Sequence, residues 1–370
     1  MTRELRYIEG FRRSGAAEPL RGRIALLGKR LAERGRSVRL MEVCGSHTMA
    51  IGRYGLRDLL PENVELVSGP GCPVCVTDNG YIDAALELAR REAVIVTFGD
   101  MMRVPGSAGN LAAARTAGAR VEVGYSPEVA LEIARREPAR EVVFLAIGFE
   151  TTVAPVVSLV AAAAEERLGN LSLLVAFKLV PPALEALIAD PELRIDGFLC
   201  PAHVSAIIGS EAYRSIVDRH RLPCVVAGFE PLDILLGLAG LLEMLADDRP
   251  ALANQYARVV RPGGNPRARA LIERYLQPVD ATWRGIGTIP ASGLGLRSEW
   301  AAFDAARRFD VSISGGRVDP RCRCGEVLRG RIRPPECGLF ATVCTPERPV
   351  GACMVSSEGS CAAWFRYDRQ

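Results

Sequence analysis

Short apolar runs recur along this chain with room for one helix between them, and that rhythm restricts the fold more than any other feature. Residues 38–43, 64–67 and 94–98 read as strands. Helical segments over 49–60, stopped by Pro61, and over 80–91, with Asp78 as N-cap, separate them. From Val121 the alternation restarts. Residues 142–149 are almost wholly apolar, as strands covered on both faces are. Strands at 171–177, 197–200 and 224–227 then alternate with helices at 152–168, 204–220 and 232–245. This order predicts parallel sheets joined by right-handed crossovers. The expected fold class is α/β, with two parallel-sheet domains and a small cysteine-rich domain.

At 370 residues the chain is too long for one ordinary core. Ile24, Leu26, Leu27 and Leu31 recur at helical spacing before Gly35, so residues 1–36 read as an N-terminal helical segment. A first α/β domain follows over 37–120 and a second over 121–265, ending at Pro262-Gly263-Gly264-Asn265-Pro266. Gly148-Phe149-Glu150 and Gly228-Phe229-Glu230 mark two strand ends alike. Beyond Ala281 glycine, proline and arginine dominate, and only 298–309 keeps a long period. With little apolar material and six cysteines, 266–370 needs a cross-link, expected to be a metal centre.

A hydrophobic content of 49% with 24% charged residues is that of a globular chain. The 46 basic and 43 acidic side chains nearly balance, which points away from nucleic acid or an anionic membrane as partner. Residues 1–13 are charged throughout, unlike a signal peptide, and the longest apolar run, 153–164, falls short of the roughly 20 residues of a membrane span. The expected compartment is the cytoplasm. There, eleven cysteines argue for metal binding or thiol chemistry over a disulfide scaffold.

The cysteines fall into two groups. Cys44, Cys72 and Cys75 follow two strands, at the sheet edge where α/β proteins bind ligands. Cys72-Pro73-Val74-Cys75 has the spacing of a redox pair, and equally of half a zinc site, although no second such pair completes a zinc ribbon. Cys44 and His47 lie three apart at a strand-to-helix turn, where a helix start favours thiolate and an imidazole can donate a proton. The alternative is a small buried cysteine beside a helix-start histidine. Glu150 opens a helix after a buried strand, and His203 also lies just past one; Cys200 and Cys224 read most simply as core.

The second group is Cys322, Cys324, Cys337, Cys344, Cys353 and Cys361. Among them Cys322, Cys337, Cys344 and Cys361 are separated by 14, 6 and 16 residues. Six thiols without a histidine favour iron-sulfur over zinc, but spacing does not choose between Cys322 and Cys324 as first ligand. The chain has no Walker-A sequence, and the glycines over 285–295 follow no convincing strand, so nucleotide binding is not indicated.

With these residues assembled, the sequence resembles the hydrogenase maturation HypD family. The resemblance rests on Cys44-Gly45-Ser46-His47-Thr48, Gly69-Pro70-Gly71-Cys72-Pro73-Val74-Cys75, Gly148-Phe149-Glu150-Thr151-Thr152, Cys344-Thr345-Pro346-Glu347 and Val355-Ser356-Ser357-Glu358-Gly359-Ser360-Cys361. It implies a role in building the Fe(CN)2CO part of the nickel-iron hydrogenase centre, in complex with the small chaperone HypC and with cyanide from HypE. It further implies that Cys44 is the iron-binding thiolate, with Cys72 and Cys75 as the redox pair beside that metal. Cys322, Cys337, Cys344 and Cys361 become the ligands of a 4Fe-4S cluster. His47 and Glu150 take supporting roles, bonding to cyanide or shuttling protons, and the C-terminal domain is expected to fold back on the first. Two rivals remain: a stand-alone 4Fe-4S-linked dithiol/disulfide oxidoreductase, and a zinc-stabilised interaction module. The source of carbon monoxide, the resting state of Cys72 and Cys75, and the oligomeric state are left open.

Overall fold

The computed structural model describes residues 14–368. The chain is α/β, with two sheets in which parallel pairing predominates. β1 (Val38–Glu42), β2 (Val64–Ser68), β7 (Gly197–Pro201), β8 (Cys224–Ala227) and β9 (Leu252–Asn254) form the first, in the order β2-β1-β7-β8-β9 and parallel throughout. The second holds β3 (Val94–Thr97), β4 (Val121–Val123), β5 (Val142–Gly148), β6 (Leu171–Lys178), β10 (Leu276–Trp283) and β11 (Gly287–Leu296), in the order β10-β11-β6-β5-β3-β4. In it β3 to β6 are parallel, and β10 and β11 form an antiparallel hairpin added at β6.

The expected division at residue 120 does not separate the sheets. After β2 the chain crosses to lay β3 in the second sheet, and it returns to the first only at β7, which pairs with β1. The boundary at 266 also moves. Helix Pro266–Tyr275 and the β10-β11 hairpin belong to the second sheet, so the glycines over 285–295 do follow a strand. Burial in β10 is irregular and its register shifts between Val279 and Ala281, which erases the period-two signal.

Local expectations fare better where caps are strong. Asp78 accepts from the Gly80 amide at 2.8 Å and caps helix Asn79–Arg90. The helix expected over 49–60 instead spans Gly45–Arg53, beginning directly after Cys44, and a separate 3-10 turn at Leu56–Leu59 precedes Pro61. The one expected over 204–220 is broken by Gly209, at φ 90°, into Ala202–Ile208, Ser210–Tyr213 and Arg214–His220. Every residue of β5 and β6 is buried. Ile24, Leu27 and Leu31 of helix Ser14–Ala32 are buried against the first-sheet core, whose helix Pro231–Ala246 they accompany.

Past β11 the chain runs through short helices and turns, Ala305–Phe309, Cys324–Leu328 and Ser360–Tyr367 among them. Helix Ser360–Tyr367 packs on Gly45–Arg53, Asp368 pairs with Arg57 at 3.1 Å, and the Arg57 guanidinium lies 4.7 Å from the Trp364 ring centre. Among the described residues no helix is long and apolar enough to cross a membrane.

Candidate thiol site

β1 and β2 are parallel neighbours with Glu42 opposite Ser68, so their C-terminal loops leave the sheet side by side. Cys44 is the N-cap residue of helix Gly45–Arg53. The Gly45 amide donates to the Gly71 carbonyl at 2.9 Å, locking the two loops together. Only glycine fits at 71, because a Cβ there would stand 2.6 Å from Cys44 Cα. The next residue, Cys72, caps the turn Pro73–Val76 and is disulfide-bonded to Cys75, Cα to Cα 5.2 Å. Adjacent strands and a glycine contact therefore bring residues 44 and 72 together.

Buried carboxyls surround Cys44. Glu42, fully buried, accepts from the Cys44 amide at 3.0 Å and from the Thr48 hydroxyl at 2.5 Å. Burial raises its pKa above the usual carboxylate range. Glu358 arrives from the far end of the chain and accepts from the Ser46 hydroxyl at 3.0 Å, its own pKa also raised by burial. Burial first, and then the Glu358 charge, push the Cys44 thiol up to about 12. Cys44 is thus a protonated thiol at neutral pH until a cation displaces the proton. Glu42 and Glu358 were not singled out from sequence; the only signal was their place inside the cysteine motifs.

His47 is fully buried, and its Nε2 lies 3.1 Å from the Ala227 carbonyl and 2.9 Å from that of Gly228. Both partners are acceptors, so Nε2 carries the proton. Among the described residues, Nδ1 is buried without a partner, which leaves a lone pair open. Burial lowers the His47 pKa to about 4 and keeps the ring neutral. Phe229 stands between His47 and His203, with ring centres 4.8 Å and 4.1 Å away. The Gly-Phe-Glu stretch after β8 thus supports His47 directly. Its counterpart after β5 does something else: Glu150 accepts from the Val180 amide at 3.0 Å, and its second oxygen is buried with no partner among the described residues. Burial raises its pKa to about 7. Among the described residues no hydrogen bond joins Glu150 to Cys44, His47 or the disulfide.

All six C-terminal cysteines line one small pocket, whose other walls are Val327, Leu339, Phe340, Gly351 and Met354. Five are buried and Cys322 is half-buried. The Cys324 and Cys353 sulfurs are 2.7 Å apart, and Cys344 Sγ accepts from the Val350 amide at 3.3 Å. The thiols of Cys322 and Cys353, and then the Arg284 charge, favour thiolate at Cys324, while burial opposes it. Among the described residues no side-chain oxygen or nitrogen donor lines this pocket, so its donor set is soft. Among the described residues, no three His, Cys, Asp or Glu side chains gather around a single metal-ion position. The pocket touches the thiol site: Cys75 Sγ lies 4.0 Å from the carbonyl of Ala352, the residue before Cys353.

A family model described as the hydrogenase formation hypA family, HypD, matches residues 22–368. The chain belongs to the HypD family. It is 46% identical over 374 residues to the hydrogenase maturation factor HypD of Azotobacter vinelandii, covering 99% of this chain and 98% of that one. The HypD of Rhizobium leguminosarum bv. viciae is 45% identical, with 99% and 96% covered. The HypD of Escherichia coli strain K12 is 44% identical over 337 residues, with 90% of each covered.

The HypD family match spans both sheets and the cysteine pocket. The structure brings Cys44, His47, Cys72 and Cys75 to one edge of the first sheet and gathers Cys322, Cys337, Cys344 and Cys361 with Cys324 and Cys353 beside it. Glu150 heads a helix that follows β5 of the second sheet. Cys200 and Cys224 are buried on β7 and β8, in the core as read from sequence.

Proposed function

We propose that this chain is a cytoplasmic hydrogenase maturation factor that serves as scaffold and redox component for assembling the Fe(CN)2CO unit of nickel-iron hydrogenase. Its partners in this reading are a HypC-type chaperone and a HypE-type cyanide donor. The observation that carries the proposal is the convergence of a lone buried thiol, a vicinal disulfide and a six-thiol pocket across two touching junctions.

Iron is the cargo. Cys44 supplies one soft thiolate suited to an electron-rich iron, and its thiol, held up to about 12, releases a proton as iron binds. The neighbouring disulfide opens to two thiols on taking up two electrons, one from each of two encounters with an external one-electron protein reductant, and two protons from water. His47 keeps a fixed tautomer and offers its free Nδ1 as an acceptor, and Glu150, near pKa 7, can hold or release a proton at neutral pH. The all-sulfur donor set fits a 4Fe-4S cluster, with Cys322, Cys337, Cys344 and Cys361 as its ligands. Such a cluster, when bound, supplies one-electron chemistry.

The test is anaerobic infrared spectroscopy of the complex co-purified with its chaperone. Cyanide and carbonyl stretches are expected in the wild type and absent in Cys44→Ala, which loses the cargo iron while the iron and acid-labile sulfide of the cysteine pocket stay unchanged. The disulfide itself favours one second reading, the stand-alone oxidoreductase. That reading prevails if Cys44→Ala still reduces a protein disulfide at the wild-type rate without the chaperone.

A further inference from the structure

Arg284 sits in the turn between β10 and β11 and is only 4% exposed. Its amide donates to the Val76 carbonyl at 2.7 Å, its Nε to the Thr77 carbonyl at 3.0 Å and its Nη1 to Asn79 Oδ1. These bonds fasten it to the segment that leaves Cys75. On the other side, a Cβ on Gly325 would lie 2.7 Å from Gly285 Cα, so the backbone next to Arg284 rests on the backbone next to Cys324. Arg284 therefore sits at the seam between the disulfide turn and the cysteine pocket, its side chain bonded to the one and its neighbouring backbone resting on the other.

The hydrogen-bond partners of Arg284 are neutral, and among the described residues none reaches its buried Nη2. Among the described residues no carboxylate lies within ion-pair distance of it. Hydrogen bonds to carbonyls satisfy donors but leave the charge uncompensated, and a buried cation without a counter-charge is strongly destabilising.

We infer that Arg284 is the counter-charge for negative charge carried on sulfur in the cysteine pocket, a positioning residue that sets how readily a cluster there accepts an electron. The inference rests on the cluster reading of that pocket. Arg284 makes and breaks no bond; an electron added to the cluster raises its negative charge, and a fixed cation at the seam favours that form.

Redox titration of the full chain, purified anaerobically and followed by visible absorption and electron paramagnetic resonance, tests this. Arg284→Met is expected to shift the reduced-to-oxidised ratio at fixed potential roughly tenfold toward oxidised, which is 59 mV for one electron. Arg284→Lys, which keeps the charge, is expected to show less than half of that shift. Asn79→Asp sets a carboxylate against Nη1 while leaving the guanidinium in place; it is expected to move the potential the same way as Arg284→Met and replaces it if that variant does not fold. An unmoved potential in the folded variant overturns the inference, as does an equal shift in Arg284→Met and Arg284→Lys, which would make the guanidinium a structural clasp. A wild-type chain without iron or acid-labile sulfide sinks the cluster reading and this inference together. A wild-type cluster whose potential ignores these substitutions sinks the inference alone.

Discussion

The thiol site and the cysteine pocket are held together by opposite means. Cys44 and Cys72 sit at the ends of paired strands, where backbone hydrogen bonds and the glycine contact at 71 set their positions without help from sulfur. The six cysteines of the pocket sit on turns and on helices as short as Cys324–Leu328, where few regular backbone ladders exist. One site is a property of the sheet and should persist without any bound group. The other has six thiols on short turns and little regular backbone to order it, so it should depend on what the sulfurs hold.

The largest expected effect breaks the comparison if it fails. Cys344→Ser combined with Cys361→Ser is expected to abolish bound iron and acid-labile sulfide and to speed amide hydrogen exchange over residues 322–361, while exchange in β1 and β2 stays slow. Equal loss of protection in both regions would show that the sheet edge leans on the pocket.

Proton linkage sharpens the contrast between the two sheets. His47 has a folded pKa near 4 against 6.5 unfolded, so the unfolded chain binds its proton more tightly and stability is lost as pH falls through that window. The loss should approach about 3 kcal/mol and vanish in His47→Gln, measured by urea unfolding at stepped pH. Glu150 has the reverse sign. Its folded pKa near 7 lies above 4.5, so the folded chain holds the proton more tightly and stability falls as pH rises from about 4.5 to about 7. Glu150→Gln should remove that decline, again about 3 kcal/mol; parallel pH curves for variant and wild type would contradict it.

Smaller effects follow. Replacing both Cys72 and Cys75 by alanine opens a very short loop and should cost about 2 kcal/mol in urea titrations, leaving the iron content of the pocket unchanged. Arg23→Ala, which removes an exposed pair with Glu243, should cost less than about 1 kcal/mol, because helix Ser14–Ala32 is seated by Ile24, Leu27 and Leu31.

Much of the site was legible before any coordinates. Cys44 and the Cys72-Pro73-Val74-Cys75 turn follow apolar runs, and parallel neighbours present their C-terminal ends together, so their meeting at one edge is a local inference that the structure bears out. Glu150 shares Gly-Phe-Glu with the segment supporting His47 but follows a strand of the other sheet, a placement the shared tripeptide does not reveal. Arg284 carried no motif, and its meaning depends on the neutral carbonyls and buried seam around it.

What this sequence determined by itself was whatever depends on neighbours a few residues away: the strand and helix periods, the Asp78 cap, the thiols at strand ends and the clustering of the last six cysteines. Only the tertiary structure decided that β7 closes on β1, that Ala227 and Gly228 select the His47 tautomer, and that Glu358 reaches Ser46. The reason is physical. Period and capping are written in the burial and hydrogen bonding of adjacent residues, whereas pairing across hundreds of residues is settled by which crossovers let both sheets bury their faces at once.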